Sequence, residues 1–166
     1  MTLRLTGVLT VATLIASPLS GQSVDHVAAA DLRAATARSE LSKSRGGAPF
    51  YSRDGGAIYL FNRRETASEI ELHCDWDDLF WIQSGAGDIR TSERVAESTL
   101  VAEHEWRAKK LLSPKSVFVA GGDFVRVPAG VAHEIVPTGD APLVYLVVKV
   151  RSSRAKTCSE RRAKSK

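Results

Sequence analysis

The sequence predicts an all-β domain, an antiparallel barrel or sandwich, on three observations. From residue 57 onward, short apolar runs alternate with turn residues at close intervals. No helix-period stretch long enough for a crossover lies between those runs, which excludes a parallel α/β sheet. The length of 166 residues suits one core rather than two. With 43% hydrophobic and 25% charged residues, the composition excludes disordered, collagen-like and disulfide-scaffold proteins.

Taken in chain order, the first segment (1–23) reads as a secretory signal peptide. Arg4 precedes an apolar stretch from Leu5 to Ala16, and small residues follow through Ser23. That stretch is too short to span a bilayer, where roughly 20 apolar residues are needed. The mature chain is therefore expected to start near residue 21 to 24, to be exported to the periplasm or beyond, and to have no membrane span. Ser23 to Lys43 favours a short N-terminal helix, with Ser23 or Asp25 as cap and Val27, Leu32, Ala35 and Leu41 on one face. Ser44-Arg45-Gly46-Gly47-Ala48-Pro49 breaks it, so 24–56 is expected to be helix and linker.

Strands are predicted at about 57–62, 68–74, 78–84, 86–91, 116–120, 123–127, 132–136 and 143–150. Turns between them fall at Gly85, Gly121-Gly122, Pro128-Ala129-Gly130 and Pro137-Thr138-Gly139-Asp140. The polar stretch from Ser92 to Pro114 reads as a long insertion. Residues 151–166 hold seven basic side chains against one acid, Glu160. Without interleaved aromatics, this tail is read as a disordered solubilising end rather than a nucleic-acid reader, with weak attraction to anionic envelope polymers as the alternative. It carries more positive charge than the whole chain's net +4, so the body is mildly acidic. Cys74 and Cys158 either form a disulfide in an oxidising compartment or remain two thiols, Cys74 then filling a strand face.

Two segments carry the candidate chemistry. On a strand, side chains two apart share a face, so Glu71 and His73 project together while Leu72 and Cys74 point away. A hairpin through Asp75 to Asp77 is expected to return Asp78 beside them, with Phe80 and Ile82 in phase. In the second segment, Pro128 and Gly130 force a turn that puts His133 at a strand start. Two histidines and two carboxylates suit a divalent transition metal. The alternatives are hydrogen-bonded structural histidines and a solvated acidic turn at Asp75, Asp77 and Asp78. Val125, Val127 and Ile135 add to an apolar wall that favours a small, partly apolar ligand. Trp81 is out of phase and is expected outside, where it suits packing or a contact between copies. His26 and His104 fall outside both segments and are read as surface residues.

These segments resemble the two motifs of the cupin superfamily. Gly122, Pro128, Gly130 and His133 satisfy the second motif's spacing, with Pro137 where an asparagine is usual. Glu71-x-His73, Asp78 and Gly85 keep the first motif's spacing with two ligand types changed. The resemblance covers about 57–150 and implies a double-stranded β-helix, or jelly-roll barrel. It further implies a metal (Mn, Fe, Ni, Cu or Zn) held by Glu71, His73, Asp78 and His133. Asp78 stands for the family's glutamate, one methylene longer, so contact through a water is expected there. Three functions follow as expectations: a metal-dependent enzyme on a small organic molecule, a non-catalytic small-ligand module without metal, and an envelope-associated protein using the tail. Exposed hydrophobic strands further suggest a homodimer. The catalytic residues and the reaction are not specified by these motifs.

Overall fold

The computed structural model of the chain describes residues 28–31, 34, 48–53 (backbone) and 57–152. The expected signal segment, His26, Cys158 and the basic tail beyond Ser152 lie outside the described residues. Eleven strands are present among those described: β1 (Ala48–Arg53), β2 (Ala57–Arg64), β3 (Ile70–His73), β4 (Trp76–Ser84), β5 (Ala86–Ser92), β6 (Val95–Ala102), β7 (Glu105–Leu111), β8 (Lys115–Ala120), β9 (Phe124–Val127), β10 (Ala132–Thr138) and β11 (Leu143–Arg151). They form two antiparallel sheets, ordered β1-β2-β11-β4-β9 and β6-β7-β3-β10-β5-β8.

Period-2 alternation explains why these segments pair as they do. In β11, Leu143, Tyr145, Val147 and Lys149 are buried, and the residues between them are not. The inward residues of β4, β5, β8, β9, β10 and β11 make one cluster, including Phe80, Ile82, Ile89, Val119, Val127, Ile135, Leu143 and Val147. Each such side chain contributes about 1.5–3 kcal/mol on burial. A second cluster, Ile70, Leu72, Cys74, Trp106, Leu111 and Ala132, lies on the opposite face of the six-stranded sheet's β3–β7 half. Leu72 and Cys74 thus point away from Glu71 and His73, as the alternation requires. Cys74 is fully buried and disulfide-bonded, its partner lying outside the described residues.

Three expectations are corrected. The 92–114 insertion is a hairpin, β6 and β7, whose alternation is hidden because β6 is an edge strand with mostly exposed side chains. The linker reading of 24–56 misses β1, the outermost strand of its sheet among the described residues, a position that tolerates Pro49. β3 and β4 do not form a hairpin: they belong to different sheets, and Asp78 meets His73 across the barrel. Of the predicted helix, Ala29, Ala30, Asp31 and Ala34 are helical, and the rest lies outside the described residues. Arg151, assigned to the tail, ends β11 and stacks on Trp76.

Candidate functional site

The candidate residues are set by cross-strand register. On the six-stranded sheet His133 lies opposite Glu71, Glu71 opposite Arg107, and His73 opposite Glu105. On the facing sheet Lys149 lies opposite Asp78. All seven line one cavity of about 560 Å³, whose remaining wall includes Leu60, Phe80, Ile135 and Val147. Trp81 is 48% exposed on the outside, as its phase requires.

Two backbone bonds lock the segments together. Gly130 N–H donates to the His73 carbonyl at 2.7 Å, and Ala129 N–H donates to Asp77 Oδ1 at 2.8 Å. Gly130 has φ 85°, a conformation that a side chain resists, so the Pro-x-Gly spacing has a geometric cause. Asp75 and Asp77 are buried and paired with Arg151 and Arg126, so the solvated-turn reading fails. His104 pairs with Glu103 at a turn outside the cavity.

Around His73 the charges are crowded. Its Nδ1 donates to Glu105 Oε2, while Nε2 lies 3.3 Å from Glu71 Oε2 and 3.5 Å from Asp78 Oδ2. His133 Nε2 is 3.3 Å from the same Asp78 oxygen. Lys149 Nζ donates to both Asp78 oxygens, at 2.8 and 2.7 Å, and to His73 Nε2 at 2.8 Å. Burial opposes charge on His73, as does Lys149, but Asp78, Glu105 and Glu71 raise its pKa to about 10. An imidazolium N–H and an ammonium cannot both point into that 2.8 Å contact. His73 and Lys149 therefore share one proton in that contact, while His73 Nδ1–H stays on Glu105.

Burial also works against ionised carboxylates here, and their partners overcome it. The His73 hydrogen bond and the charges of His73, Lys149 and Arg107 lower the Glu71 pKa to about 2. Asp78, 2% exposed, is held well below the usual range by Lys149, His133 and His73. At another part of the cavity wall, Arg64 Nε donates to the buried Tyr145 hydroxyl at 3.0 Å. Among the described residues no carboxylate pairs with Arg64.

The donor atoms of Glu71, His73 and His133 all lie within 4.8 Å of one another, a possible metal site. Two imidazoles and a carboxylate suit a divalent transition metal, and the Nδ1–H to Glu105 is the outer contact that a ligating imidazole normally makes. Of the four residues read from the sequence as ligands, Asp78 lies beside both imidazoles but has both its oxygens bonded to Lys149. Sequence reasoning missed Glu105, Arg107 and Lys149. Only Lys149 left a signal, as a charge in the inward phase of an otherwise apolar strand.

No protein-family model matches the sequence, and no curated protein matches it. Among solved structures the fold is similar to that of a hydroquinone 1,2-dioxygenase solved with Cd2+ and 4-hydroxybenzonitrile. That match has 16% identity and a TM-score of 0.55, over 80% of this chain and 82% of that one. A Bacillus halodurans protein matches at 13% identity and a TM-score of 0.52, over 80% and 85%. A cupin protein from Bacteroides fragilis matches at 19% identity and a TM-score of 0.41, over 59% and 68%. Two antiparallel sheets facing each other across a central cavity, with both motif segments meeting there, make this chain's fold the cupin-type double-stranded β-helix.

Proposed function

We propose that this protein is an exported cupin that binds a divalent transition metal through Glu71, His73 and His133 and holds a small organic anion beside it. The observation that carries the reading is the convergence of those three donors inside a cavity large enough for a small molecule. A metal there would supply Lewis-acid or oxygen chemistry. The chain's own residues supply the rest: Glu105 orients His73, Arg107 holds Glu71, and Leu60, Phe80, Ile135 and Val147 exclude water. Arg64, backed by the Tyr145 hydroxyl and with no acidic partner among the described residues, offers a guanidinium for the ligand's carboxylate.

Export is supported by the 1–23 pattern and by the disulfide at Cys74, which suits an oxidising compartment. Mass spectrometry of exported protein should find a start near residue 21 to 24, and an intact Met1 would overturn that part. Trp81 and Phe124 are register neighbours on β4 and β9, 48% and 64% exposed, and support a dimer, which sedimentation would test.

The metal reading is tested by reconstituting the protein with manganese, iron, nickel, copper and zinc in turn. At least one should be retained at micromolar concentration, and His133→Ala should lose it while the fold survives. His104→Ala serves as the control. Retention of none would overturn the reading in favour of a metal-free small-ligand module, which the Lys149 contact to His73 Nε2 favours.

A further inference from the structure

We infer that Lys149 is the resident cation of this site, and that a divalent metal is taken by Glu71, His73 and His133 only by displacing its ammonium. Lys149 thereby sets how tightly the barrel binds metal. The inference rests on the donor triad of the proposed function but concerns a residue outside it.

The geometry is specific. Lys149 is 9% exposed, and its Nζ makes three hydrogen bonds, two to Asp78 and one to His73 Nε2, matching the three donors of an ammonium. His73 Nδ1 is engaged by Glu105, so Nε2 is the nitrogen left for a metal. A ligand bond to Nε2 needs about 2.0–2.1 Å along the direction that Lys149 Nζ now occupies. The two cations exclude each other. The Lys149 position is set by the backbone, because it is the residue opposite Asp78 in the β11–β4 register and follows Leu143, Tyr145 and Val147 on the inward face. Asp78 and His73 are thereby satisfied without a metal, so the fold does not depend on one. A metal must break a buried ion pair to enter, and the long lysine side chain has the cavity to turn into.

Zinc titrations of the full chain by calorimetry test this, comparing the unaltered protein with Lys149→Met and with Asp78→Asn/Lys149→Met. The double variant removes both halves of the ion pair, so it keeps the test open if the single variant fails to fold. Lys109→Met, at an exposed pair with Glu97, is the control. Both Lys149 variants should bind zinc on the order of 100-fold more tightly than the unaltered protein. In Lys149→Met, zinc should also raise the melting temperature more than in the unaltered protein. Equal affinity in all three proteins would overturn the inference while leaving the metal site standing. Binding by the variants alone would support the inference and reject metal binding by the natural chain. Binding by none would reject both.

Discussion

Segment 71–85 and segment 122–133 each deliver ligand candidates to the same cavity, yet different physics holds them. The second segment is a backbone device: the positive φ of Gly122 and Gly130, Pro128 between them, and N–H bonds from Ala129 and Gly130 fix where His133 begins. The first is an electrostatic device. Glu71, His73 and Asp78 are placed by strand phase, but Arg107, Glu105 and Lys149 decide their charge and their free lone pairs. Spacing is thus a strong guide where backbone geometry is at stake. It says little where a site depends on counter-charges from other strands.

The largest effect should come from the glycines that close and open these segments. A Cβ on Gly85 would lie 2.2 Å from the Pro142 carbonyl oxygen, at φ +78°, whereas at Gly122, φ +100°, nothing lies within 4 Å. Gly85→Ala should destabilise by roughly 4 kcal/mol and Gly122→Ala by roughly 1–2 kcal/mol, read by urea unfolding. Equal losses would mean that backbone conformation alone governs both turns.

Next is the link between the segments. Asp77→Asn should cost about 2 kcal/mol, because Asp77 accepts from Ala129 N–H and pairs with Arg126. Burial raises its pKa, but those partners hold it below the ordinary 3.8. Its stabilisation is therefore fully present above that value and is lost as pH falls through the folded value. Unfolding midpoints from pH 6 down to pH 2 should fall less steeply for Asp77→Asn than for the unaltered protein. Parallel curves would remove Asp77 from the acid response.

The smallest effect concerns the counter-charges alone. Glu105→Ala should weaken metal binding about tenfold with little change in the fold, since it frees the His73 ring without removing a ligand. Unchanged affinity would show that Glu105 only neutralises charge.

Eight of the eleven strands were legible from alternation and turns, and His73 and His133 from spacing. β6 was not, because an exposed edge strand has no apolar face to display. With β6 and β7 read as an insertion, Glu105 and Arg107 could not be placed opposite His73 and Glu71. Asp78 was found by spacing, but its pairing with Lys149 was not legible, since Lys149 lies 71 residues away and only the β4–β11 register unites them.

The most direct test is a crystal structure of the unaltered protein soaked in zinc, with the ion located by anomalous scattering. The expected result is one ion about 2.0–2.2 Å from His73, His133 and the Glu71 carboxylate, with Lys149 turned away from His73 Nε2. An ion held elsewhere, or Lys149 still bonded to His73 Nε2 in a cavity that took up no zinc, would contradict the account.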